Sequence, residues 1–159
     1  MEEQRTSLFL AQLNPTQRRL LQMSVHLNPM LVAYADGNYS IRESSAFADA
    51  VRTLLTESVY RPLVVIAGTD ELSETALRVM LEQHSKNIDG YLRETAELLS
   101  VMPPQAAEAY RVFTLYAIVK VAEASRDGLF GLMGDRISHS EKKVMRRMVE
   151  ILELEPDAA

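Results

Sequence analysis

Four acidic residues, Asp36, Glu43, Asp127 and Glu141, stand at matched places in two stretches of the chain. The first stretch reads Asp36-Gly37-Asn38-Tyr39-Ser40-Ile41-Arg42-Glu43, and the second reads Asp127-Gly128, an insertion, then Ser138-His139-Ser140-Glu141. In each, an apolar helical run passes through Asp-Gly and Ser-x-x-Glu into a second helix. The Asp therefore sits at a helix C-terminus and the Glu in the first turn of the next helix. Carbonyl oxygens and partial negative charge collect at a helix C-terminus, and with carboxylates beside them they suit a hard cation such as calcium or magnesium. Carboxylates pooled about 4 Å apart repel by roughly 4 kcal/mol per pair at an effective dielectric near 20, so a cluster of them calls for a cation or for raised pKa values.

A blander chemistry fits the same residues. Ser-x-x-Glu is the capping box, in which the Ser oxygen accepts from the backbone N–H three residues on and the Glu accepts from the Ser backbone N–H. Asp-Gly is a common turn dipeptide. Local pattern favours caps and turns, whereas repetition in equivalent helical settings favours the cation. An EF-hand is excluded because Gly37 follows Asp36 directly, the alternating Asp/Asn ligands are missing and Glu43 comes too early. In the second copy, Leu129-Phe130-Gly131-Leu132-Met133-Gly134-Asp135-Arg136 lengthens the loop, which makes Asp135 an alternative to Asp127 as the ligand. Gly128, Gly131 and Gly134 recur every third residue around Leu129, Phe130, Leu132 and Met133. This loop either folds back over the core or offers its apolar tips to a protein or membrane partner. It lacks the spacing and preceding strand of a dinucleotide site.

The elements that must position these residues read as helices. Asn14-Pro15 starts one by capping and by placing Pro at the first turn. Leu20, Leu21, Val25, Leu27, Met30, Leu31 and Tyr34 keep helical spacing, with a break or kink expected at Asn28-Pro29. Ser40 opens a helix with Phe47, Val51, Leu54 and Leu55 on one stripe. Leu63 to Ala67 has strand composition but nothing to pair with, so it reads as loop or helical turn. A helix from Thr69-Asp70 to about His84 carries Leu72, Ala76, Val79 and Met80 on one face. Another opens near Asp89-Gly90 with Leu92, Ala96 and Leu99. Pro103-Pro104 starts the longest, whose Val112, Phe113, Leu115, Tyr116, Ile118, Val119 and Val121 place it at the bundle centre. The last follows Ser138, with Val144, Met148, Ile151 and Leu152 inward and Lys142, Lys143, Arg146 and Arg147 outward as a solvated stripe.

Composition bounds the function. The 159 residues form one domain, with 47% hydrophobic and 25% charged residues, values usual for a globular chain. Without cysteine there is no disulfide, thiolate metal site or thiol nucleophile. A net charge of -5 argues against nucleic acid as a partner. The acidic N-terminus fits no targeting peptide, and no apolar run is long enough for a transmembrane segment. His26, His84 and His139 lack metal-ligand spacing, although His139 lies beside the second loop as an additional candidate ligand. The methionines sit mostly at core spacing. No phosphate loop, nucleophile elbow or zinc-protease motif is present, so the chain does not read as an enzyme.

Val32-Ala33-Tyr34-Ala35-Asp36-Gly37 with Ser40 and Glu43, and Val121-Ala122-Glu123-Ala124-Ser125-Arg126-Asp127-Gly128 with Ser138 and Glu141, resemble the TerB-like family of tellurite-resistance and stress-response proteins. The likeness spans about residues 20 to 153. It implies an all-α single-domain bundle of two pseudo-symmetric helix-loop-helix repeats. Repeat one falls at about 20–57, connecting helices at about 69–101 and repeat two at about 104–153. It implies a divalent metal held by acids of both repeats, with Ca, Mg, Mn and Zn undistinguished, and work in the cytoplasm beside a protein partner, often a membrane-associated one. Self-association stays open. The expectation is a non-catalytic cation-binding sensor or adaptor; the alternative is a helical interaction domain without metal, its acids serving as caps.

Overall fold

Asn14 caps a helix of 20 residues. Its side chain accepts from the Gln17 backbone N–H at 2.8 Å while Gln17 accepts from the Asn14 N–H at 3.1 Å, a reciprocal cap with Pro15 in the first turn. In the computed structural model, residues 2–35, 56, 74–126 and 139–154 are described. They form six helices: α1 Glu2–Gln12, α2 Pro15–Tyr34, α3 Glu74–Ser85, α4 Ile88–Val101, α5 Pro104–Arg126 and α6 His139–Leu152. Helix accounts for 91% of the described residues and no strand occurs among them, so the expected all-α class stands. None of these helices is long and apolar enough to cross a membrane.

Among the described helices, α2 has the most neighbours. It packs on α3, α4, α5 and α6, most extensively on α5, and nearly every residue from Leu20 to Ala33 is buried. Such a helix is apolar on almost all sides because every side has a neighbour. The expected break at Asn28-Pro29 is absent, and α2 runs through Pro29. An interior Pro removes one hydrogen bond and costs about 3 kcal/mol. Here both Asn28 and Pro29 are buried, so packing on several sides holds the helix together.

Two other expectations about faces need correction. Val112 and Val119 of α5 are 42% and 38% exposed, and the buried face instead runs through Ala106, Ala109, Tyr110, Phe113, Ala117, Ile118 and Val121. These alanines and Phe113 belong to one core cluster with Leu21, Val25 and Leu31 of α2, the helix on which α5 packs most extensively. On α3, Val79 is 58% exposed; Leu81 is the buried residue, with Ala76, Leu77 and Met80 packed at the core edge. A helix stripe is set by where its neighbours lie, and single apolar residues outside it are common.

Long side chains close the helix ends. Arg18 donates from Nε to the Leu10 carbonyl at 3.0 Å and from Nη2 to that of Leu13 at 3.3 Å, tying the end of α1, a helix not anticipated from the sequence, onto α2. Arg111 of α5 donates to the Leu152 carbonyl at 3.0 Å, closing α6 in the same way. Residue 153 then turns left-handed, with φ 55°, and the Leu154 N–H reaches back to the Val149 carbonyl at 3.1 Å.

Candidate functional site

The loops that carry the acidic motifs lie mostly outside the described residues. Asp36, Glu43, Asp127 and Asp135 do, as do Leu129, Phe130, Leu132 and Met133, the helix expected after Ser40 and the apolar piece at 63–67. Glu141 is described, and so are the chain ends that lead into both loops. Of these, the end of α2 and the start of α6 come together. Tyr34 and Ala35, which close α2 just before Asp36, line the same cleft of about 860 Å³ as His139 and Ser140, which open α6 just after the second loop. The α3–α4 junction, from Ser85 to Asp89, forms another wall.

Glu141 occupies the third position of α6 and is 0% exposed. Three residues after Ser138, it has the capping-box spacing expected from sequence. A buried carboxylate requires hydrogen bonds or opposite charge, and Glu141 is engaged in interactions of this kind. Its helix supplies part of that compensation, because the N-terminus of α6 carries partial positive charge.

The charge in the cleft is arranged around one cross-link. Arg147 of α6 donates from Nη2 to Asp89 Oδ2 at 2.6 Å and from Nε to Asp89 Oδ1 at 3.1 Å, a two-pronged pair with α4. It also reaches Glu150 at 3.3 Å. The hydrogen bonds from Arg147 hold the Asp89 carboxyl below its ordinary pKa. Arg147 therefore departs from the solvated stripe expected on α6 and joins two helices instead, while Lys142 and Arg146 do face solvent. Lys86 and Lys143 add basic groups to the same walls.

The core holds a polar chain that the sequence reading missed. The Tyr91 hydroxyl donates to Asn28 Oδ1 at 2.6 Å, Asn28 Nδ2 donates to the Tyr110 hydroxyl at 2.8 Å, and Tyr110 donates to Ser24 Oγ at 2.6 Å. Ser24 ends the relay on the Leu21 carbonyl at 2.7 Å. All four side chains are buried. Burial raises the pKa of both phenols, Tyr91 well above its usual value and Tyr110 to about 12. The available signal was Ser24 and Asn28, polar residues one helical turn apart on one face of the mostly apolar α2.

Among the described residues, no three His, Cys, Asp or Glu side chains group so as to hold a metal ion. Of the acids expected as ligands, the described residues contribute Glu141 alone, while Asp89 is committed to Arg147. His26 is half-buried, and burial lowers its pKa. His84 packs on Tyr91, and His139 is exposed at the cleft. Comparison of the chain with family models, curated proteins and solved structures found no match.

Proposed function

We propose that this chain is a non-catalytic divalent-cation-binding module like those of TerB-like tellurite-resistance and stress-response proteins, acting as a sensor or adaptor. One observation supports the reading: the end of α2, just before the first acidic loop, and the start of α6, just after the second, line one cleft. The Glu141 side chain, in the first turn of α6, is buried beside that cleft rather than lining it. Asp36, Glu43 and either Asp127 or Asp135 would supply ligands at the mouth of this cleft, with Glu141 turning toward them from its buried position, one acid set from each repeat of a pseudo-symmetric pair. The carbonyl end of α2 adds oxygen-rich negative potential. Lys86 and Lys143 oppose a cation, so several carboxylates are needed to outweigh them. The ion supplies a cross-link between the repeats; the protein supplies its ligands and a way to report occupancy. The glycine-rich loop, with Leu129, Phe130, Leu132 and Met133, would carry that report to a protein partner in the cytoplasm, one that is itself membrane-associated.

Calorimetry on chelator-treated protein with calcium, magnesium, manganese and zinc tests this. Asp36→Asn and Glu43→Gln should abolish binding and the accompanying thermal shift. Absence of heat with all four ions at millimolar concentration would sink the reading.

A metal-free interaction domain is the second reading, favoured by the capping-box position of Glu141 and by the lysines in the cleft, which can pair with the loop acids directly. Under it, Glu141→Gln lowers stability equally with and without added cations.

A further inference from the structure

Three helices line a second, half-open pocket of about 430 Å³, which shares Asn87 with the cleft. Arg19 and Leu20 come from α2, Met80 and His84 from α3, and Tyr91 and Glu94 from α4. Its size falls within the range of about 300–1,000 Å³ usual for small-molecule sites. The lining is not a random surface mixture. Leu20 and Tyr91 are buried core residues showing only an edge, and with Met80 they give an apolar floor. The His84 ring lies 4.8 Å from that of Tyr91, tilted by 37°, extending the floor with a second flat face. The Tyr91 hydroxyl is tied to Asn28, so this floor is fixed before any ligand arrives. The same pocket holds the Arg19 guanidinium, from α2, and the Glu94 carboxylate, from α4, whose charge also acts on His84 and partly offsets the lowering of its pKa by burial.

We propose that this pocket binds a free α-amino acid with an apolar side chain. The ligand carboxylate meets Arg19 through two parallel N–H donors, the ammonium meets Glu94, and the side chain lies on Tyr91, His84, Leu20 and Met80. A simple anion or cation would leave one of the two charged walls unused, and a sugar would leave the apolar floor poorly covered.

L-Phenylalanine, 3-phenylpropanoate and phenethylamine, titrated into the full chain by calorimetry, separate the contributions. The amino acid should bind at least about tenfold more tightly than either analogue, since each lost charged hydrogen-bonding pair carries about that much. Arg19→Gln should erase its advantage over phenethylamine, and Glu94→Gln its advantage over phenylpropanoate. Both residues are exposed, so the variants should fold, which circular dichroism checks. Failure of L-phenylalanine to bind at millimolar concentration, or binding that neither substitution alters, overturns the proposal. None of these ligands involves a metal, so the result stands apart from that of the cation titration.

Discussion

Asn28 and Tyr110, on helices α2 and α5, meet in the core through a hydrogen bond of 2.8 Å in which the Asn28 amide donates and the Tyr110 hydroxyl accepts. Asn28 accepts from Tyr91 of α4 at the same time, so one amide joins three helices. Replacing it with an apolar residue leaves two buried hydroxyls short of a partner.

Asn28→Leu should therefore destabilise the protein by about 2–4 kcal/mol, the sum of two buried polar groups losing their partners at about 1–3 kcal/mol each, less some recovered apolar contact. Urea unfolding measures it. Tyr110→Phe in the same background should cost much less than in the parent, because the relay is already cut; equal costs would show that the two residues act independently.

Stability should fall in alkali. A buried phenol whose pKa is raised in the folded state contributes fully below the unfolded value of about 10, and that contribution is lost as pH rises toward the folded value. For Tyr110, at about 12, this amounts to roughly 3 kcal/mol. Denaturant midpoints followed from neutral pH upward should decline above pH 10, and tyrosinate absorbance from Tyr91 and Tyr110 should appear together with unfolding rather than before it.

The Asp89–Arg147 pair works in the opposite pH range. Its carboxyl has a depressed pKa, so the contribution is present above the ordinary carboxylate range and disappears as pH falls through the folded value. Both partners are partly exposed, so the effect should be small and weakened by salt. Arg147→Lys should not restore what Arg147→Gln loses, because a single ammonium cannot repeat the two-pronged contact. Thermal midpoints at low and high salt distinguish these cases.

Glu153→Gly should stabilise the end of α6. Glu153 holds φ at 55°, where a side chain costs about 1–2 kcal/mol and glycine costs nothing sterically. After the entropy glycine loses on folding, a gain of about 0.5–1 kcal/mol should remain in urea unfolding. A loss would mean that the Glu153 side chain contributes contacts outweighing its strain.

The parts of the fold that were legible in the sequence are those fixed by local chemistry. Asn14-Pro15 begins α2, Pro103-Pro104 separates α4 from α5, and Ser138 directly precedes α6. Each signal acts within a few residues. Facing was harder to read, because Val79, Val112 and Val119 are as apolar as their buried neighbours and only the positions of other helices decide which are covered. Of the polar relay only the α2 half, Ser24 and Asn28, left a trace in the sequence: Tyr91 and Tyr110 look like ordinary core aromatics until their hydroxyls are placed against Asn28 and Ser24. Of the residues proposed for the cation site, the described part of the structure contains Glu141, third in its helix, and the end of α2 and start of α6 that flank the loops. Asp36, Glu43 and Asp127 belong to loops outside the described residues.

Ser24, Asn28, Tyr91 and Tyr110 also bear on how many ways this bundle can assemble. Leucine, valine and methionine grip a neighbouring helix almost equally well after a small rotation or a slip of one turn, so an apolar core alone tolerates near-misses. Each donor in the relay has one acceptor, and Ser24 closes it on a backbone carbonyl. Any altered rotation of α4 or α5 about α2 strands a hydroxyl in a dry interior, which sets the correct arrangement apart from its close competitors.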